Sequence, residues 1–126
     1  MAWVTQILSD KDFEVTVKAT CTAAETEATI LDASALDGHD SSPALDIVGV
    51  AWCTTAGTLL IEFDATTDDT ALALVGNGKL GFADGLPTLA INPKSTGYTG
   101  DIRATSAGAT TLIIKLRKVA GYDNLV

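Results

Sequence analysis

At 126 residues the chain has the length of one domain, and a hydrophobic fraction of 47% is too high for a disordered segment. A net charge of −8, with only eight Lys and Arg, argues against nucleic acid or an anionic membrane as partner, because both are bound through cationic side chains. Aromatics make up 6%, so the core falls to Val, Ile, Leu and Ala.

The start Met1-Ala-Trp-Val-Thr-Gln-Ile7 has neither the basic nor the long apolar region of a signal peptide. No stretch approaches the roughly 18 apolar residues of a membrane helix. A soluble protein made in a cytoplasm is expected. Residues 3–8 form a first predicted strand, which a Ser9-Asp-Lys-Asp12 turn returns onto residues 13–22. That second segment alternates, with Phe13, Val15, Val17, Ala19 and Cys21 on one face and Glu14, Thr16, Lys18, Thr20 and Thr22 on the other. Period two with β-branched residues is the pattern of a half-buried strand.

A shorter strand covers residues 26–31. Residues 32–43 then read as a long surface loop, rich in turn formers and wide enough for one helical turn. Residues 44–54 resume as a strand apolar on both faces, hence central. Strands over 58–65 and 71–75 follow, and Gly76-Asn-Gly-Lys79 carries the positive-φ chemistry of a hairpin turn. Residues 79–82 make a brief strand, and residues 83–100 read as loop. A closing hairpin pairs 101–105 with 110–119 across Ser106-Ala-Gly-Ala109, and residues 121–126 form a tail.

About eight or nine short strands without a helix or a repeat point to an all-β fold. The expectation is a two-sheet antiparallel β-sandwich with jelly-roll-like or Greek-key connections, one domain over residues 1–120. Val15, Val17, Ile47, Val50, Ile61, Phe63, Leu72, Leu74, Ile114 and Leu116 are the expected core.

Chemistry-bearing residues are sparse. Asp64, Asp68 and Asp69 lack the spacing of an EF-hand loop and read as a solvated turn, with calcium as the alternative. Asp32, Asp37, Asp40 and Asp46 are scattered in and around one loop. His39, the single histidine, has Ser41 and Ser42 nearby but no nucleophile motif, so it reads as an exposed loop residue. Glycines at 76 and 78 precede Lys79 without phosphate-loop spacing. Cys21 and Cys53 read as small buried hydrophobes, and a bridge between them needs Cα atoms within roughly 7 Å. No enzyme activity, metal or cofactor is expected. Tyr98, between Gly97 and Gly100, either packs on the fold or meets a partner. Tyr122, Leu125 and Val126 are apolar groups on the tail and are candidate partner contacts with Tyr98.

Four segments in order, Ile61-Glu-Phe-Asp-Ala-Thr-Thr-Asp-Asp69, Leu74-Val-Gly-Asn-Gly78, Asn92-Pro-Lys-Ser-Thr-Gly-Tyr-Thr-Gly-Asp-Ile102 and Ile113-Ile-Lys-Leu-Arg-Lys118, resemble small virion proteins of tailed phages. The resemblance covers roughly half of the chain. It implies a virion component, on the head, neck or tail, and carries over no catalytic residue. A capsid decoration or cement protein fits a small, acidic, all-β chain with long loops. Its partners would be the major capsid protein or other virion subunits, with further copies of itself in a homo-oligomer, a trimer among the possibilities. A tail, neck or baseplate protein and a carbohydrate-binding module using Trp3, Trp52 or Tyr98 are the alternatives.

Overall fold

The alternating stretch near the N-terminus forms a strand, as its period requires. In the computed structural model, which describes residues 3–81, 88–123 and 125, β2 (Glu14–Cys21) buries Val15, Val17, Ala19 and Cys21 and turns Glu14, Thr16, Lys18 and Thr20 outward. β1 (Val4–Asp10) returns onto it antiparallel, through a turn closed by Lys11 N–H donating to the Glu14 carbonyl at 2.8 Å. Phe13 was expected inside and is 55% exposed. The innermost pair at this end is Val15 with Leu116, so Phe13 lies beyond the rim and offers the ladder only its carbonyl, to Lys118 N–H.

The remaining strands are β3 (Glu25–Leu31), β4 (His39–Phe63), β5 (Asp69–Leu80), β6 (Ile102–Ser106) and β7 (Thr110–Tyr122). Together they make one antiparallel sheet curled into a half-barrel, in the order β1-β2-β7-β4-β6-β3, with β5 also on β4. No described helix is long and apolar enough to cross a membrane.

β4 is the spine. Its 25 residues fuse two expected strands and absorb residues 39–43 of the expected loop at 32–43, whose remainder holds a 3-10 turn at Ala33–Ala35. β5 lies along one edge of β4. Along the other edge β4 pairs first with β7, through Thr54, and then with β6, from Leu60. The change of partner occurs at residues 54–57, where Thr55 N–H donates to the Ala109 carbonyl at 3.1 Å and the Thr110 hydroxyl donates to the Thr54 hydroxyl at 2.9 Å. Gly57 sits there at φ +58, and a Cβ on it would come within 2.7 Å of Ala107 Cβ. Because β6 and β7 both run antiparallel to β4, they run the same way as each other. The expected closing hairpin is absent, since β4 is long enough to take the ladder bonds of both.

The Gly76–Lys79 hairpin also fails to form. With β4 continuous, β5 has a partner on both sides of Gly76, whose φ of +65 makes it a bulge opposite residues 54–57. Gly78 stays extended, with the Trp52 indole 3.0 Å from where its Cβ would be.

The core fills the inner face. Leu45, Ile47, Val50, Leu59, Ile61 and Phe63 of β4 meet Leu112, Ile114 and Leu116 of β7, Ile102 and Ala104 of β6, and the inner row of β2. Each fully buried Leu or Ile contributes roughly 1.5–3 kcal/mol of transfer free energy. All ten expected core residues lie in this core or, for Leu72, pack against it. Residues 88–92 cover the edge of β4 that β5 does not reach: Ile47 N–H donates to the Ala90 carbonyl and Asn92 N–H to Asp46 Oδ1. The brief strand expected at 79–82 is the end of β5 through Leu80, while residue 82 lies outside the described residues.

Candidate functional site

The densest charged group spans three strands. In the register Glu62 of β4 lies opposite Arg103 of β6, which lies opposite Thr29 of β3. Arg103 Nη1 reaches Asp68 at 3.1 Å and Asp64 at 3.5 Å, and its Nη2 donates to the Glu27 carbonyl. Glu27 adopts φ +45, held by that bond and by its own N–H donating to the Thr105 hydroxyl at 2.8 Å. Carboxylate oxygens of Glu27, Glu62 and Asp68 consequently lie within 4.8 Å of one another. Glu62 is only 7% exposed, and burial, with the Asp68 and Glu27 charges, raises its carboxyl pKa. Four carboxylates thus surround one guanidinium. Oxygen donors so disposed can hold a proton between them or a hard cation.

This grouping differs from the sequence expectation. Asp68 joins it and Asp64 reaches it through Arg103, but Asp69 faces a shallow pocket lined by Thr66, Thr67, Ser95 and Thr96. Glu27 and Glu62 were missed because only the β3–β6–β4 pairing unites them. The scattered loop acids are not brought together. Asp32 caps the 3-10 turn through Ser34, and that side-chain bond lowers its pKa. Asp46 holds Asn92, and Asp37 N–H donates to Asp10. Asp101 accepts from Ala33 N–H at 2.8 Å, with its pKa raised by burial.

A second network lies at the C-terminal end of β7. Lys118 continues the inward row of Leu112, Ile114 and Leu116 and is 1% exposed. Its ammonium donates to Asp10 Oδ1 at 2.7 Å and to the Asp37 carbonyl at 2.8 Å, 5.0 Å from the centre of the Tyr122 ring. The Tyr122 hydroxyl donates to the Ala33 carbonyl at 2.8 Å, and burial, with the Asp10, Asp101 and Asp32 charges, raises its pKa far above the ordinary value. Tyr122 therefore belongs to the core, not to a tail free to contact a partner. β7 continues through it because Gly121, at φ +80, lets the segment before Pro43 lie flush against the strand; a Cβ there would sit 2.4 Å from the Ser41 carbonyl oxygen. Leu125 likewise packs against the core, and Val126 lies outside the described residues.

Tyr98 is half-buried, in a turn closed by its N–H donating to the Ser95 carbonyl at 2.9 Å. His39 opens β4 and stands edge-on to Tyr122, ring centres 6.3 Å apart. Trp3 is buried, which removes it as a platform for a sugar ring, and Trp52 Nε1 donates to the Val75 carbonyl at 3.0 Å. Both cysteines are free, and Cys53 is exposed, not buried as expected, because it falls on the outer face of β4 opposite Thr111. On β1, Val4, Ile7 and Leu8 are 68%, 47% and 46% exposed. No protein-family model matches the chain, and a search of curated proteins finds none similar to it.

Proposed function

We propose that this chain is a non-enzymatic structural component of a virion, a decoration or cement protein that binds the major capsid protein on the outer shell and stabilises the head. The observation that carries the reading is the surface. Val4, Ile7, Leu8 and Phe13 stand exposed to water on and beside an edge strand, in an otherwise acidic chain. Apolar groups exposed along one sheet edge in this way are ordinarily covered by another subunit of an assembly. The resemblance of residues 59–118 to tailed-phage virion proteins gives the class of assembly. Repeated copies on a particle supply avidity, so each interface can be weak. Localisation in the virion after synthesis in the host cytoplasm follows from the same reading.

A two-sheet sandwich with jelly-roll-like or Greek-key connections is the finer architecture we assign. The change of partner along β4 supports it, since corners of this kind let one strand serve two layers. A tail, neck or baseplate location meets the same physical requirements. A carbohydrate-binding module is weaker, because of the three proposed aromatic platforms Trp3 is buried and the Trp52 indole N–H is already committed. The test is mass spectrometry of purified particles of the source virus, followed by a cryo-reconstruction locating the chain. Stoichiometric recovery on the shell is expected; particles that lack the chain would overturn the reading.

A further inference from the structure

We propose that β1 is a seam between two copies of this chain, joined edge to edge and antiparallel about a two-fold axis; the inference names the self-contact surface within the assembly reading above. Three strands have an unpaired edge among the described residues: β1, β3 and β5. Proteins normally block such edges with charge, bulges or short length. β3 carries Glu25 and Glu27, with register shifts on both sides of its Ala28–Thr29 pairing. β5 carries Asp69 and Lys79 and is broken by the Gly76 bulge. From Val4 to Ser9, β1 carries no charge at all, and the register shift between Ile7 and Ser9 leaves Leu8 as its single irregularity.

Charge selects the occupant and its direction. A basic partner would be drawn to the carboxylate-bearing edges and would find no counter-charge along β1. A second copy presents the same uncharged strand. Laid parallel, two β1 strands would set Asp10 and Asp12 of one copy beside those of the other. Laid antiparallel, each acidic end lies beside the opposite end of its neighbour, roughly 27 Å from the other copy's Asp10 at about 3.4 Å per residue. A two-fold axis normal to the sheet also keeps both inner faces on one side, which requires that residues of like parity meet. Centred on Gln6, the register sets Gln6 against itself, Thr5 against Ile7 and Val4 against Leu8, so the exposed apolar side chains of Val4 and Leu8 cover each other. One short strand pair makes a small interface, so the association is concentration-dependent.

The experiment is sedimentation equilibrium on the full chain over a concentration series, with Gln6→Lys, which sets two ammonium groups face to face on the axis, and Thr29→Lys on the β3 edge as control. Both sites are exposed, and thermal melts confirm that each variant folds. A monomer–dimer equilibrium is expected, with the Gln6→Lys dissociation constant raised at least tenfold and that of Thr29→Lys unchanged. In a Cys53→Ser background, Gln6→Cys should give a disulfide-linked dimer on oxidation. A parent that stays monomeric throughout, or a dimer indifferent to Gln6→Lys, overturns the seam. Dimerisation through β1 by a chain missing from purified particles would remove the virion reading and leave the seam standing.

Discussion

The Lys118–Asp10 pair should respond asymmetrically to removal of its two members. Lys118 has a side chain with no exposed surface, whereas the Asp10 side chain keeps 21% of its own. Lys118→Met preserves the stem and deletes the charge. Asp10 then retains water and the Asp37 N–H at 2.8 Å, so the loss is two charge-assisted hydrogen bonds, about 2–3 kcal/mol. Asp10→Ala instead strands an ammonium in the core with only the Asp37 carbonyl and the Tyr122 ring for company. An orphaned buried charge of this kind costs about 3–5 kcal/mol. The double variant should lose less than the sum of the singles, because removing Lys118 relieves the stranded charge. Urea unfolding of all four proteins reads these differences directly, and melting points should fall by roughly 3–5 °C per kcal/mol for a domain of this size. An Asp10→Ala variant no less stable than Lys118→Met would refute the buried-charge account.

Tyr122→Phe removes one buried hydrogen bond and should lower stability by about 1 kcal/mol, whereas deleting residues 121–126 should cost at least the roughly 3–5 kcal/mol of an aromatic truncation, seen as a large fall in melting temperature. Glu62→Gln should stabilise the fold by up to about 1 kcal/mol at neutral pH. Its sign with pH is fixed: the folded carboxyl holds its proton more tightly than the unfolded one, so Glu62 erodes stability as pH rises above the ordinary value of about 4.3. The variant's advantage in urea midpoint should therefore grow from acid toward neutral pH, and a constant difference would remove the burial argument. Ile61→Ala and Leu116→Ala should each cost about 2–5 kcal/mol by the same assay, and near-parental midpoints would contradict the inner-face assignment. Assays for ester, glycoside, phosphate and nucleotide turnover should return none; activity lost on changing His39 or Asp64, Asp68 and Asp69 would overturn the structural reading.

Local signals in this sequence were legible wherever one strand decided the outcome. The alternation from Val15 to Cys21 placed four inward residues correctly, and the β-rich class followed from spacing alone. Local signals misled where a neighbour decides. Asn77-Gly78 has hairpin chemistry, yet an uninterrupted β4 beside it holds the backbone extended. Gly121 looked like the start of a tail because nothing nearby reveals that the segment before Pro43 packs on it. Lys118 could have been placed inside by continuing the phase of Leu112, Ile114 and Leu116. Its cationic side chain argued the other way, and only the spatial approach of Asp10 makes burial affordable. The Glu27, Glu62 and Asp68 group needed three pairings between distant segments, which no window of sequence contains.

The placement of β7 between β2 and β4 has a consequence for how the protein is born. A ribosome releases the chain from the N-terminus, so the β1–β2 hairpin emerges first and exposes Val15, Val17 and Ala19 with nothing to cover them. β4 can meet β5 early, but its other edge waits for residues 102–122. The half-barrel therefore cannot shut until β7, through Tyr122, has left the exit tunnel. With most contacts made between distant segments, that closure belongs to the millisecond-to-second range typical of all-β domains. Until then the uncharged β1 edge and the bare inner row are both open to neighbours, so the nascent chain is most prone to aggregation before β6 and β7 emerge.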